Sequence, residues 1–234
     1  MHPSALAKPL ARSPPAGQRG RMSDDLPADR RLAISLVDPR LRTALTALLT
    51  LDQRLAGIVR TTREPLVGQM RLTWWHEALG RLDVAPAPAE PLLQEIEGAC
   101  LPLGLTGGDI AGLTDGWEML LDPLEEAGIA TYAAGRGGRL FTLLGRATGG
   151  DAAALAVAGE GWALADLSTH VSQVAVAELA RFAAHEAFAR AFAEPWPKSL
   201  RPVGVLALLQ MLELEGKSPI RNYARLTAFR LTGR

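Results

Sequence analysis

Between Glu64 and Leu82 (EPLVGQMRLTWWHEALGRL) the apolar positions recur with helical spacing. Glu64-Pro65 opens the segment, because proline at the first helical position gives up only an N–H that the helix leaves unused. At about 100° per residue, Met70, Trp74, Val67, Ala78, Leu82, Trp75, Leu79 and Leu72 sweep roughly 200° of the wheel. So wide a stripe predicts a helix with neighbours on most sides. Arg71 falls inside the arc. Its guanidinium cannot shed its charge, so it is expected to be buried and to meet an acid, a carbonyl or an anionic ligand there. Two readings stand side by side. Arg71 is a structural arginine paired with a core carboxylate (Asp115, Glu118 or Asp166), or it faces an anion in an interhelical cavity walled by Trp74 and Trp75.

The same pattern places helices along the rest of the chain. Asp38-Pro39 starts one that runs to about Arg60, with Leu41, Leu45, Leu48, Leu55 and Val59 as its buried stripe. A proline-rich connector, Ala85 to Pro91, leads to a short helix ending near Leu101. Thr106-Gly-Gly-Asp109 opens the next, which carries Ile110, Leu113, Trp117, Leu120 and Leu121 on one face and stops at Pro123. Asp115, Glu118 and Asp122, three and four apart, share one flank of it. Thr131 to Ala147 reads as helix despite Gly135, Gly137 and Gly138, which suit a close helix contact or a break. Residues 151 to 193 form a long alanine-rich helix, broken near Ser172 and stopped by Pro195 and Pro197. Ser199 to Glu215 forms another, closed by Gly216 and Pro219, and a short basic helix ends the chain. No alternating run rich in Val, Ile and Thr predicts a strand, so the fold is expected to be all-α.

Composition adds limits. The 234 residues, 48% hydrophobic and 21% charged, can bury a large core. Zero net charge gives no overall attraction to nucleic acid or anionic membrane. The lone Cys100 excludes a disulfide framework and a thiolate metal cluster. No uncharged apolar run approaches the roughly 18 residues of a membrane span, so a cytoplasmic protein is expected. Residues 1–22 hold Lys8, Arg12, Arg19 and Arg21, no acid, and Pro3, Pro9, Pro14 and Pro15. They read as a disordered basic tail without a signal-type apolar stretch, which makes Met22 the expected natural start and 23–234 the folded domain.

Common catalytic motifs are missing. Gly216-Lys217-Ser218 ends like a phosphate loop, but Met211 stands where the earlier glycine belongs and a helix precedes it, so Gly216 reads as a helix C-cap. His76-Glu77 and His185-Glu186 lack the second histidine of a zinc-protease helix. From Lys217 onward Arg221, Arg225, Arg230 and Arg234 occur with no acid, opposite Ile220, Tyr223, Thr227 and Leu231. This end is either a solvated face or a peripheral contact with a membrane surface or acidic partner, Lys217–Arg234 being the segment concerned.

EPLVGQMRLTWWHEAL, with its Arg-x-x-Trp-Trp core, resembles a segment of the squalene/phytoene synthase family. Asp115-Gly116-Trp117-Glu118-Met119 resembles that family's acid-Gly-Met segment. Tyr132 to Gly145 is similar to its Tyr-containing, Gly-rich helix, Gly159 to His170 to the helix of its second Asp-rich motif, and Ser199 to Gly216 to its Leu-Arg-Pro helix. The resemblance covers nearly everything after Asp24. It implies an all-α isoprenoid-synthase-like bundle around a central cavity, with Arg71, Trp74, Trp75, Tyr132, Asp166 and His170 lining it.

The resemblance also implies two Asp-rich helices holding Mg²⁺ for a diphosphate substrate, since Mg²⁺ takes hard oxygen ligands. The first should fall at Ala56 to Arg60, where the chain reads Ala-Gly-Ile-Val-Arg. The second should fall near His170 and Val174, where only Asp166 precedes and no acid follows before Glu178. The connection after His170 is also shorter than in synthases. The leading expectation is thus a member that has lost catalysis, like the branch that resembles respiratory complex I assembly factors. It would bind a prenyl or other anionic lipid, or a partner protein, with no cofactor, no metal and no nucleic acid. The alternatives are an active head-to-head prenyltransferase using Mg²⁺ on the displaced acids Asp115, Glu118 and Asp122, and a plain helical scaffold with a filled core.

Overall fold

The computed structural model describes residues 26–216 and 219–234. The basic tail, the Met22 start and Lys217-Ser218 therefore lie outside the described residues. Every regular element among the described residues is helical, as the pattern predicts. They are α1 (Ala28–Ser35), α2 (Arg42–Thr61), α3 (Pro65–Gly80), α4 (Pro91–Ala99), α5 (Gly107–Ala111), α6 (Leu113–Glu118), α7 (Ile129–Ala133), α8 (Arg139–Ala147), α9 (Ala153–His170), α10 (Val174–Ala191), α11 (Arg201–Leu214) and α12 (Pro219–Thr232).

The starts and stops follow local chemistry. The Asp38 carboxylate accepts from the Arg40 N–H at 2.9 Å in a short 3₁₀ turn ahead of α2, and Thr106 Oγ1 accepts from the Asp109 N–H at 3.0 Å at the start of α5. Gly216 sits at φ +62° behind α11, the left-handed position a glycine C-cap fills. The alanine-rich stretch breaks at Val171–Gln173, so that α9 and α10 form an antiparallel hairpin with Gly161 packed under Phe188 and Ala187.

α2 and α9 form the middle of the bundle. Leu48, Leu51 and Leu55 of α2 and Trp162, Ala163 and Ala165 of α9 are buried, and α4, α8, α10 and α11 pack around them. Cys100 is buried in this core, where desolvation, with a contribution from Glu95, pushes its thiol up to about 12. At the far end, α12 docks by Phe229, which packs on Phe192 and Trp196 and over Gly204. Arg201 binds the Arg230 and Leu231 carbonyls at 3.0 and 2.7 Å, satisfying the C-terminal end of α12. Tyr223 and Leu231, on the side away from the arginines, are exposed, while the side chain of Ile220 and all of Lys217 lie outside what is described. Among the described residues, no helix is long and apolar enough to cross a membrane.

α7 and α8 are one continuous helix interrupted by a π-helical turn, Ala134–Gly138. The glycines expected to mark a close contact or a break do both. A Cβ on Gly135 would meet the backbone of Gly116 in α6, and one on Gly137 would meet the carbonyl of Gly159 in α9. Two backbone-to-backbone contacts thus clamp the widened turn between α6 and α9. The residue held between them is Arg136.

Candidate functional site

A cavity of about 810 Å³ opens beside this turn. Its walls are apolar, with Ala56 and Val59 from α2, Leu120, Leu121 and Leu124 from the segment after α6, and Leu167 and Val171 at the end of α9. Its polar floor is Arg30, Tyr132, Arg136 and Asp166. Arg60, His170 and Asp122, all exposed residues, also line it.

The floor is built on a buried acid. Asp52, in the leucine stripe of α2, is fully enclosed. Its carboxylate accepts from Arg136 Nε at 3.1 Å, Arg136 Nη2 at 3.4 Å and Trp117 Nε1 at 3.0 Å, and pairs with Arg30 Nη2 at 3.1 Å. Burial opposes its ionisation. The charges of Arg136 and Arg30, with hydrogen bonds from Arg136 and Trp117, outweigh burial and hold the carboxyl below the ordinary range. Arg136 Nη1 donates to both Tyr132 Oη and Asp166 Oδ2. The guanidinium lies 4.0 Å from the Trp117 ring centroid and 4.7 Å from that of Trp162. Burial would lower the Arg136 pKa, but Asp52, Tyr132 and Asp166 raise it well above its ordinary value, so Arg136 stays cationic. Burial pushes the Tyr132 phenol up to about 12, so its hydroxyl stays protonated. Arg30 and Arg136 balance Asp52 and Asp166, which leaves the floor neutral.

Three residues expected at the cavity line it: Tyr132, Asp166 and His170. Arg71, Trp74 and Trp75 are not among its lining residues. The burial expected of Arg71 is wrong. It is exposed and donates to Thr62 Oγ1 at 3.3 Å, with no carboxylate in reach among the described residues. The wheel counts apolar neighbours but does not show whether anything covers them, and this side of α3 faces outward. Arg71→Ala is accordingly expected to shift stability by less than about 0.5 kcal/mol in urea unfolding, and a loss of several kcal/mol would restore the buried reading.

The buried arginine paired with Asp166 exists, but it is Arg136. Its signal was present: Tyr132, Arg136 and Leu140 are spaced by four, a cation in an apolar stripe, just as Asp52 is an acid between Leu48 and Leu55. The three flank acids also separate. α6 ends at Glu118, so the helical spacing does not reach Asp122. Glu118 accepts from Gln69 Nε2 at 3.1 Å, and Asp115 lies 3.7 Å from His76 Nδ1, both toward α3, whereas Asp122 faces the cavity. Among the described residues no three His, Cys, Asp or Glu side chains converge as a metal-binding group. The Ala56–Arg60 and His170–Gln173 segments do share the cavity's lining, presenting Arg60 and His170. His170 Nδ1 lies 3.3 Å from Asp166 Oδ1.

The family model for squalene/phytoene synthase matches residues 28–175, well over half of the chain. No curated protein and no solved structure gives a significant match. The chain belongs to the squalene/phytoene synthase family, and its helical architecture, with no strand among the described residues, is that of the family's all-α isoprenoid-synthase fold.

Proposed function

We propose that the protein is a non-catalytic member of this family, a lipid- or partner-binding assembly protein, and that its cavity holds an anionic amphiphile, a prenyl diphosphate or other anionic lipid. The observation that carries this reading is the state of the acids. Asp52 gives its carboxylate oxygens to Arg136, Arg30 and Trp117, and Asp166 is held by Arg136. Asp122 is the one remaining carboxylate on the lining among the described residues. Mg²⁺ bridging to a diphosphate needs several converging hard oxygens, and this donor set does not suit it. Where the resemblance implies carboxylates, the cavity carries Arg60, which has no acidic partner among the described residues, and His170. A cation at the lining and apolar walls behind it match a headgroup and an acyl or prenyl chain, and the volume lies in the range of ligand pockets.

Calorimetry with a non-hydrolysable prenyl diphosphate tests the reading. Binding should be Mg²⁺-independent, weaken with salt, and fall about tenfold on Arg60→Glu. Affinity that rises sharply with millimolar Mg²⁺ would overturn it. A second reading, active prenyl transfer, keeps one supporting observation, Asp122 on the cavity lining. Incubation with prenyl diphosphates and Mg²⁺ that yields a head-to-head product, lost on Asp122→Asn, would establish it in place of the first.

A further inference from the structure

Much of α3's apolar surface is bare. Leu66 is 68% exposed, Val67 44%, Met70 66% and Trp74 47%, while Leu72, Trp75, Ala78 and Leu79 across the helix are buried. Spacings of one, four and eight residues from Leu66 lay the four along one outward strip. Single exposed hydrophobics are ordinary, but a run that includes a tryptophan marks an interaction surface. Arginines frame the strip: Arg63 in the turn before α3, Arg71 within it and Arg81 directly after it. All three are exposed and none has a carboxylate partner among the described residues. Exposed acids also lie nearby, Glu64 and Glu77 along α3, Asp83 just after Arg81, and Asp115 and Glu118 of α6 beside His76 and Gln69, and Arg60 adds a further cation at the end of α2.

We infer that this strip docks the protein on an anionic lipid bilayer, with α3 lying in the interface. Tryptophan and methionine give apolar area that enters the headgroup boundary, and tryptophan favours that depth because its indole N–H stays near water. The arginines then meet lipid phosphates, as a bilayer carrying negative charge allows at both ends of the strip at once. A second copy fits less well. Antiparallel packing of two α3 strips brings Arg63 of one against Arg81 of the other, and parallel packing sets each against itself. The face of α3 opposite the strip touches the cavity wall: the buried Gly68 packs on the Leu121 side chain, which lines the cavity. The inference stands on the strip and does not depend on what the cavity holds.

Of the five tryptophans, Trp74 alone is exposed, which makes it a built-in reporter. The full chain is mixed with phosphatidylcholine vesicles containing, or lacking, about a third phosphatidylglycerol. Co-sedimentation with the anionic vesicles is expected, with a blue shift of tryptophan emission, and binding should weaken between about 0.1 and 0.5 M salt. Met70→Ser with Trp74→Ser should lower the partition coefficient at least about tenfold without changing the melting curve. Arg63→Glu with Arg81→Glu should do the same, which covers the case in which the first pair perturbs folding. Trp74→Phe should keep most of the binding and lose the blue shift. Absence of binding to the anionic vesicles overturns the proposal. So does binding that both variant pairs leave intact, including binding removed only by truncation after Gly216. Self-association in sedimentation without vesicles, abolished by the same substitutions, assigns the strip to a second copy instead. Calorimetry with a soluble amphiphile and no vesicles reads the cavity separately, so either proposal can fail alone.

Discussion

Replacing Asp52 with asparagine is expected to destabilise the fold by about 3–5 kcal/mol in urea or thermal unfolding. The carboxylate is the one acid that Arg136 and Arg30 share, and it also accepts from Trp117. Asparagine removes its charge and turns an NH₂ group toward guanidinium donors, leaving Arg136 enclosed with Asp166 as its remaining acid. Arginine cannot escape by losing its proton. The cost is that of buried cations left short of counter-charge, not the net worth of the pair. Asp52→Leu combined with Arg136→Met should therefore recover more than half of the loss, because a buried ion pair replaced by well-packed apolar residues is often close to neutral. Losses of the single variants Asp52→Leu and Arg136→Met that add fully in the double would show that the two side chains act independently.

The same group sets a pH dependence. Its carboxyl is depressed when folded, so its contribution is complete above the unfolded value of about 3.9 and is lost as pH falls from there through the folded value. Wild-type stability should thus fall steeply below about pH 4, and Asp52→Asn, less stable throughout, should show a shallower acid limb. Parallel acid limbs would mean that other carboxylates dominate acid unfolding.

How much of this was readable beforehand differs between the fold and the site. Helix starts were legible because they are local: Asp38 and Thr106 hold their own caps, and proline or glycine marks the other ends. The break at Val171–Gln173 was legible to within a residue or two, although no proline or glycine stands there. What escaped depends on distant chain. α3 shows a broad apolar arc, yet burial requires a neighbour, and Leu66, Met70 and Trp74 have none that covers them. The π-helical turn at Ala134–Gly138 was invisible because its glycines fit a close contact and a break equally well. Tyr132, Asp166 and His170 came through the family resemblance. Arg30, Asp52 and Arg136 did not: the stripe of α2 is carried by Leu41, Leu45, Leu48, Leu55 and Val59 with Asp52 passing among them, α1 is too short to stand out, and a lone charge in an apolar stripe announces a partner only when its opposite is found on another helix.

Gly159→Ala is expected to destabilise the protein by about 3 kcal/mol or more, although alanine is the better helix former. The new Cβ would press on the carbonyl of Gly137, on its carbonyl carbon and on the Phe141 Cβ at 2.9 Å. Two of those are backbone atoms, so no rotamer change relieves the contact, and α9 must move off the π-helical turn. That turn carries Arg136, whose bonds to Asp52 and Asp166 run to α2 and α9. Separation should therefore loosen the cavity floor as well, and Gly159→Ala should weaken amphiphile binding even at temperatures where the variant remains folded. Gly57 in α2 provides the opposite sign: a Cβ there meets nothing within 4 Å. Gly57→Ala should stabilise by about 0.5–1 kcal/mol, by propensity and by restricting the unfolded chain. Thermal unfolding of the two variants side by side reads both. Gly159→Ala as stable as wild type would mean that α9 and the turn are not in backbone contact and that the glycines do not place Arg136.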